Sequence, residues 1–339
     1  MTAPSRILAA LLLLMSLSAC GTSASACEDD ERLCIGLVTS TAGLDDHGLN
    51  ASAWEGLQRA VQENSGWKVD YIESVDSRDY GKNLAAFASQ GYDVVIGSGA
   101  GQQDAVLAAA NEYPGTRFLG LDQQAQAKPP SNLAVVTFPE EQGGFLAGAL
   151  AAMISHTGII GAVCETSGLD PMWRYCEGFR LGAQYEKKDI TVLVTYHESA
   201  SPDTLFTDED WGARTAGSML HLGADVIFGV GGRLGQGALR RAAQAGAWSI
   251  GSGEDQYYGT PEARRGLLSS AIPDASGAVL EAAHLAASEG WPAQIQGTMQ
   301  LAPWHDEAEN VPLSAQAALQ ALLVSLQNGS LPVYVIQPG

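Results

Sequence analysis

Short β-rich runs alternate with amphipathic stretches from Cys34 onward, and this alternation constrains the fold of the chain more than any other feature. Strands that alternate with helices are typical of doubly wound parallel α/β sheets. In the first half, the predicted strands are residues 34–39, 68–72, 94–97, 117–121 and 133–137. The helices predicted between them are residues 50–63, 80–90 and 102–113.

A second series of the same kind follows without a long linker. Its predicted strands are residues 159–163, 190–194, 226–229, 248–251 and 267–271, and its predicted helices are 172–186, 208–222 and 235–245. Two such series predict two similar lobes with a cleft between them. Ligands of open parallel sheets gather beyond the carboxyl ends of the strands, where loops from both lobes would converge.

The remaining tail is too short for a third domain. Its predicted elements are a helix through residue 289, a strand at 298–301, a helix at 314–328 and a last strand at 332–336. We interpret the tail as the chain crossing back between the lobes, which makes a multi-stranded hinge. On this interpretation lobe 1 comprises residues 34–137 and about 272–300, and lobe 2 comprises residues 138–271 and about 302–339.

The first residues indicate export. An apolar run from Ile7 to Met15 follows a basic residue and ends in small residues before Cys20. The run is shorter than the roughly 20 apolar residues that span a bilayer. It predicts a lipoprotein signal peptide at residues 1–19, lipidation of Cys20 and a tether at 20–33, on the extracytoplasmic side of the cell membrane. The alternative is an ordinary secretory signal in which Cys20 has no role.

The four remaining cysteines are Cys27, Cys34, Cys164 and Cys176. An even number in an oxidising compartment predicts two disulfides. Three pairings are open, and we favour Cys27 with Cys34 and Cys164 with Cys176 because these close the shortest loops. Free buried thiols are the alternative, and the spacing does not match a metal site.

Charge and motifs exclude several classes of function. The chain has 38 acidic and 18 basic residues and a net charge of −20, so it would repel a phosphate backbone, and we expect no nucleic-acid partner. Its sequence contains no dinucleotide, P-loop, nucleophile-elbow or His-Glu-x-x-His motif. We therefore expect a protein that is not an enzyme, with no catalytic residues, no cofactor and no metal ion.

Carboxylates in loops after predicted strands are the best candidates for ligand contacts. Asp45 and Asp46 follow the first strand, Asp122 follows the fourth, and Glu254 and Asp255 follow a strand of the second series. Taken singly, such residues cap helices or remain solvated. Their shared position at the carboxyl ends of strands favours a ligand role.

Two further features could serve a ligand. Trp173 and Tyr175 lie near the start of a predicted helix, where they either stack on a flat ligand or belong to the core. Glycine-rich turns follow three strands, and one of them contains Gly235. Small residues let backbone N–H groups approach a ligand, although such turns are also ordinary strand-to-helix connections.

Several segments together resemble the basic membrane lipoprotein family, whose better-known members look like purine-nucleoside-binding proteins of ABC importers. The resemblance runs from about residue 35 to the C-terminus. The segments that carry it are Gly36-Leu37-Val38-Thr39, Leu44-Asp45-Asp46, Asn50, Ala53-Trp54-Glu55-Gly56, residues 91–97, Asp104-Ala105, Glu140-Glu141-Gln142-Gly143, Leu146-Ala147-Gly148, Gly178-Phe179, residues 223–228, Gly235-Gln236-Gly237 and Asp255-Gln256.

The resemblance implies the type I periplasmic-binding fold and a ligand held between the lobes. Ser40 and Leu49 stand where the family has an Asp and a base-stacking Phe. Gly253 replaces an acid that grips a ribose, and Pro273 replaces a lysine. The full set of ligand-contacting residues that we expect is Ser40, Asp45, Asp46, Leu49, Asn50, Asp122, Trp173, Tyr175, Gly235, Asp255 and Gln256.

The resemblance also implies a function. We expect a monomeric solute-binding lipoprotein that captures a small molecule, with a nucleoside or related heterocycle favoured, and delivers it to the permease and ATPase subunits of an ABC importer. Hinge closure over the ligand would present a surface to the permease. The alternative is a lipoprotein that senses a ligand and signals through a membrane partner without transport.

Overall fold

The computed structural model describes residue 27 and residues 32–199, 201, 204–288 and 290–335. The predicted signal peptide, the predicted lipidation site Cys20 and most of the predicted tether lie outside these residues. Within the described part, no helix is long and apolar enough to cross a membrane.

The strands and helices of the described residues follow one another in regular alternation. The strands are β1 (Cys34–Val38), β2 (Lys68–Ile72), β3 (Val94–Ser98), β4 (Arg117–Leu121), β5 (Leu133–Thr137), β6 (Ile159–Cys164), β7 (Thr191–Tyr196), β8 (Val226–Val230), β9 (Trp248–Ser252), β10 (Leu267–Pro273), β11 (Gln294–Gln296) and β12 (Met299–Leu301). The helices are α1 (Leu49–Glu63), α2 (Tyr80–Ala88), α3 (Gln103–Glu112), α4 (Glu140–Ile154), α5 (Asp170–Glu186), α6 (Glu209–His221), α7 (Gly232–Ala245), α8 (Gln256–Gly259), α9 (Ala275–Ala286) and α10 (Leu313–Gln327).

The strands form two six-stranded sheets, which confirms the predicted fold class. The first sheet has the order β11-β5-β4-β3-β1-β2 and is parallel throughout. The second has the order β12-β10-β9-β8-β6-β7, and only the short edge strand β12 runs antiparallel. Strand β1 has apolar side chains on both faces of the first sheet. Ile35 and Leu37 pack in the core that contains α1, and Val38 packs in the core that contains α2 and α3, so helices cover both faces.

The chain crosses between the two sheets three times. The crossings lie between β5 and α4, between β10 and α9, and between β11 and β12. The predicted lobe boundaries differ from the observed ones by two residues at the second crossing and by two at the third. Residues 272–273 belong to β10, and residues 299–300 belong to β12, so both pairs lie in the second sheet. The antiparallel pairing of β10 with β12 extends β10 through Pro273, which the sequence pattern did not indicate.

Four elements were predicted wrongly or missed: α4, the four-residue helix α8, β11 and the strand predicted at 332–336. No helix was expected at α4, whose residues 143–152 are glycine, alanine, phenylalanine and leucine and are buried on all sides, so they show no amphipathic period. The three-residue strand β11 was also missed. The strand predicted at 332–336 is not formed over the described residues 332–335.

Glycines hold α4 and α5 unusually close together. A Cβ atom at Gly144 or Gly148 would overlap the backbone carbonyl of Tyr175 or Phe179, and one at Gly182 would overlap the carbonyl of Phe145. Only glycine permits this approach of two helix backbones. The packing fixes the first turns of both helices side by side at the carboxyl edge of the second sheet.

Both predicted disulfides are present and confirm the favoured pairing. Cys27 is bonded to Cys34 at the start of β1. Cys164, at the end of β6, is bonded to Cys176 in α5. The second bond joins α5 to its own sheet directly beside Tyr175.

Candidate ligand-binding site

The carboxyl ends of the two sheets face each other across a cleft that is closed at one side. The ring of His47, in the loop between β1 and α1, stacks on the ring of Tyr258 in α8, with centroids 4.0 Å apart and an interplanar angle of 15°. The backbone of Gly48 lies against the side chain of Glu254. These contacts join lobe 1 to lobe 2, so the structure shows the lobes together.

Most polar side chains of the loop between β1 and α1 are hydrogen-bonded within the loop. The Asp46 carboxylate accepts hydrogen bonds from the backbone N–H groups of Gly48, Asn50 and Ala51 at 2.9 to 3.0 Å. The buried Asn50 amide donates to the hydroxyl of Ser40 at 2.9 Å and accepts from its backbone N–H at 3.1 Å. Asp46, Asn50 and Ser40 therefore shape the loop that lines the cleft.

Asp45 and Leu49, the other two predicted contacts in this loop, differ in exposure. The Asp45 side chain is 98% exposed and lies 3.7 Å from His47. Leu49 is half-buried and lies 3.9 Å from the position that a Cβ atom would take at Gly99. Leu49 thus offers an apolar edge close to the turn after β3, whereas Asp45 remains in solvent.

Asp122 is a carboxylate of lobe 1 that is free to contact a ligand. It directly follows β4 in a left-handed conformation, with φ of 57°. Within the described part of the chain its carboxylate has no hydrogen-bond or ion-pair partner, and desolvation raises its pKa. Water still reaches the side chain. Asp122 is thus exposed at the carboxyl edge of the first sheet, where a ligand can reach its carboxylate.

Lobe 2 places further carboxylates opposite Asp122. Glu140 and Glu141 begin α4, and Arg174 of α5 lies 3.5 Å and 3.6 Å from them. The same guanidinium pairs with Asp170 at 3.0 Å. The pKa of Glu140 is raised to about 7, mainly by burial and to a smaller extent by the charges of Asp122 and Glu141, against the opposing effects of a backbone hydrogen bond and Arg174. One cation is therefore shared among three acids.

Tyr175 is a buried residue beside these acids. Its side chain is 5% exposed, and burial together with the charges of Glu140 and Asp122 raises the pKa of its hydroxyl. The Gly253 backbone lies beside the same hydroxyl. Tyr175 thus lies within the electrostatic influence of both lobes. Trp173, at 8% exposure, is also buried, and the ring of Tyr175 packs in the core against Phe228, so neither ring is free to stack on a ligand in this structure.

The loop between β9 and α8 supplies the second wall. Asp255 accepts the N–H of Tyr257 at 3.2 Å and lies 2.7 Å from His305, so its carboxylate is occupied. Gln256 is buried and bonds to Thr260 at 2.7 Å. A Cβ atom at Gly253 would meet nothing within 4 Å, so this turn opens onto empty space.

A groove of about 710 Å³ opens beside this turn and is lined by both lobes. Its volume lies in the range of small-molecule sites. The lining does not include Asp122 or Tyr175, but Gly253 lines the groove and lies beside the Tyr175 hydroxyl. Residues that define the groove are His47, Glu55, Leu146, Glu254, Pro273 and Trp304.

Sequence reasoning found part of this site and missed part. Gly235 is buried in the first turn of α7 against the backbone of Gly229 and Val230, so it serves helix packing. Glu140 and Arg174 were not expected as site residues, although Glu140 directly follows the crossing after β5, a position that could have indicated it. In the described part, no group of three or more His, Cys, Asp or Glu residues could hold a metal ion.

Comparison with known proteins agrees with this architecture. A nucleoside-binding protein of an ABC transporter from Lactococcus lactis, named BmpA, is 32% identical over 233 residues, which are 66% of this chain and 64% of that protein. Basic membrane protein A of Borreliella burgdorferi is 30% identical over 224 residues, which are 65% of this chain and 63% of that protein. The chain thus spans less than two thirds of the length of both relatives.

Solved structures share the fold at lower identity. An ABC transporter solute-binding protein from Conexibacter woesei is 20% identical with a TM-score of 0.69, covering 89% of this chain and 98% of that one. One from Aeropyrum pernix is 21% identical with a TM-score of 0.63, covering 90% and 94%. Residues 35–301 match the Bmp family model, described as ABC transporter substrate-binding protein PnrA-like. The chain therefore belongs to the Bmp family of ABC transporter substrate-binding proteins, as the sequence segments predicted.

Proposed function

We propose that the chain is the extracytoplasmic capture subunit of an ABC importer and that it encloses a nucleoside or related heterocycle between its lobes. The observation that supports this proposal is that Asp122 of lobe 1 lies near enough to the Tyr175 hydroxyl of lobe 2 for its charge to raise the pKa of that hydroxyl. Among the described residues Asp122 has no partner, so its carboxylate can accept the N–H groups of a base.

Binding would act through closure of the hinge. A ligand favours the closed form only if it binds that form better than the open one, so contacts from both lobes are required. The two sheets would move as two bodies about the three crossings, which are short. The relative from Lactococcus lactis, which is named as nucleoside-binding, supports the class of ligand.

The cellular setting is part of the same proposal. A signal peptide at residues 1–19 and lipidation of Cys20 would anchor the protein to the membrane surface, with a monomeric body facing outward. The partners would be the permease and ATPase subunits of the importer. No cofactor would be needed, because capture and release involve no covalent chemistry.

A thermal-shift screen against nucleosides, nucleobases, sugars and amino acids tests the ligand class. A nucleoside at 100 times its Kd should stabilise the protein by about 2.7 kcal/mol and so raise Tm. Calorimetry should then show that Asp122→Ala weakens binding by roughly tenfold or more, since a hydrogen bond to a charged group contributes about 1.5–3 kcal/mol.

The matched control is Asp189→Ala, an exposed aspartate just before the amino end of β7. This variant should bind like the wild type. A screen in which sugars or amino acids raise Tm and no nucleoside or nucleobase does would contradict the proposed ligand class.

A further inference from the structure

Two histidines lie at the contact between the lobes, and both have a left-handed backbone. His47, before α1 in lobe 1, has φ of 49°, and His305, after β12 in lobe 2, has φ of 44°. Residues other than glycine rarely adopt this conformation, and it persists where the surrounding contacts hold it. Because backbone of this kind clusters at binding sites and switch regions, both histidines are candidates for a role in the lobe contact.

The contacts of His305 lie within lobe 2. Its Nε2 atom lies 2.7 Å from a carboxylate oxygen of Asp255. Its ring stacks on Tyr257 with centroids 4.1 Å apart and meets the ring of Tyr258 edge-on at 5.6 Å. These partners stay with His305 when the lobes separate, so its surroundings are nearly the same in both forms. His305 therefore supports the Tyr258 ring that His47 contacts.

His47 differs, because its partners change when the lobes meet. Within lobe 1, the Asp45 carboxylate lies 3.7 Å from its ring nitrogen. Closure adds the ring of Tyr258, which stacks on the imidazole with centroids 4.0 Å apart. Closure also brings up Glu254, whose side chain lies 3.5 Å from the position that a Cβ atom would take at Gly48. An aromatic face and a carboxylate of lobe 2 thus reach His47 only in the closed form.

The charged and titratable groups around His47 are mostly acidic. They are Asp45 and Asp46 in its own loop, Glu55 on α1, Glu254 and Asp255 in the loop before α8, Tyr258 on α8, and His305 and Asp306, which contact Tyr258 and Tyr257. Among the described residues, no lysine or arginine lines the groove that His47 borders. A positive charge on His47 would therefore be attracted by both lobes, and by lobe 2 only on closure.

The sign of a pH effect follows from these contacts. A protonated imidazole is attracted by the face of an aromatic ring and by carboxylates, whereas a neutral imidazole gains only the stacking. Protonated His47 thus favours the closed form more than neutral His47 does, and a proton shifts an equilibrium toward the form that binds it better. At an exposed site, a cation–π contact corresponds to about a twofold to fivefold change in that equilibrium.

We propose that protonation of His47 favours the closed form, so that the lobe contact is a pH-sensitive switch that tightens as pH falls from about 8 to about 5.5. Histidine is the side chain whose charge ordinarily changes in this interval. The proposal goes beyond the proposed function and is independent of the ligand, because the contact forms between groups of the protein alone. It adds that a ligand is held more tightly in acidic surroundings than in alkaline ones.

Small-angle X-ray scattering of the ligand-free protein at about pH 8 and about pH 5.5 measures the switch. Glu140 also titrates in this interval, because burial raises its pKa to about 7, so the contribution of His47 is obtained by difference. The ratio of closed to open protein should rise by about twofold to fivefold more in the wild type than in His47→Phe or His47→Asn. Phenylalanine keeps a ring against Tyr258, and asparagine tolerates the left-handed backbone.

His284→Phe is the matched control. The His284 side chain is 47% exposed, against 46% for His47, and its Nε2 atom lies 3.0 Å from the Glu63 carboxylate within lobe 1. This variant should keep the full pH response, and melting curves will show that all three variants are folded. A pH response that persists undiminished in either His47 variant would overturn the proposal.

The absence of ligand from the scattering experiment keeps this inference separate from the proposed function. If the thermal-shift screen finds no nucleoside, the nucleoside function fails, and the scattering result still decides the pH switch. If it finds one, calorimetry should show that the gain in affinity from the higher to the lower pH is about twofold to fivefold larger in the wild type than in His47→Asn. Equal gains in the two proteins would contradict the switch and leave the ligand class intact.

Discussion

The stacked rings of His47 and Tyr258 are expected to hold the two lobes together, and Tyr258→Ala tests this. An aromatic pair of this geometry contributes about 0.5–1.5 kcal/mol. At about 1.4 kcal/mol per factor of ten, its loss should raise the ratio of open to closed protein by roughly twofold to twelvefold. The lower half of that range is expected because Tyr258 is 41% exposed.

Small-angle X-ray scattering of the ligand-free protein should therefore show a larger mean radius of gyration for Tyr258→Ala. Calorimetry should show weaker ligand binding by a similar factor. Tyr71→Ala is a matched control, since Tyr71 is 39% exposed and contacts Trp54 at 5.0 Å within lobe 1. An unchanged scattering profile for Tyr258→Ala would refute the reasoning, even if binding weakened, because Tyr258 also lines the groove.

Two further predictions concern the α4–α5 pair. Gly148→Ala places a Cβ atom onto the carbonyl of Phe179, so the free energy of unfolding should fall by about 1–3 kcal/mol or more, whereas Gly81→Ala, with open space around it, should have little effect in the same denaturant titration. Glu140→Gln should change the pH dependence of stability. Between the ordinary pKa of 4.5 and the folded value of about 7, the folded state retains a proton that the unfolded state loses. Wild-type stability should thus fall as pH rises from 5 to 8, by on the order of 2–3 kcal/mol from this group, and Glu140→Gln should not show that fall. Denaturant titrations at both pH values measure the difference, and parallel curves for the two proteins would contradict the assignment.

The strands were predictable because each is a short β-rich run bounded by turn residues. The runs at Lys68–Ile72, Arg117–Leu121 and Leu133–Thr137 were predicted to the residue, and most others within one or two. Helix α4 was not predictable because it is buried on nearly every side, so its sequence has no amphipathic period. The prediction also failed at residues 332–335, where apolar side chains such as Val333 pack against α10 and α4 without strand pairing.

The site was less predictable than the fold. Asp122 could be identified because it directly follows a strand. Asn50 and Asp46 also lie beyond a strand, but their side chains are used within the loop, and that depends on turn geometry the sequence does not specify. Arg174 and Glu140 are 34 positions apart and meet only because glycines bring α4 against α5.

The candidate site combines a rigid group of residues in lobe 2 with a residue of lobe 1 that moves relative to it when the lobes separate. Glu140, Arg174 and Tyr175 sit on two helices whose backbones touch and one of which is disulfide-bonded to its sheet, so their mutual geometry should persist when the lobes separate. Asp122 belongs to the other lobe and would leave this group on opening. Closure without ligand therefore brings the Asp122 carboxylate toward those of lobe 2, and this like-charge repulsion opposes the contact between His47 and Tyr258. Without ligand, the repulsion between carboxylates favours the open form and the ring contact favours the closed form. A ligand that binds the carboxylates removes the repulsion, so the closed form becomes favoured when the site is occupied.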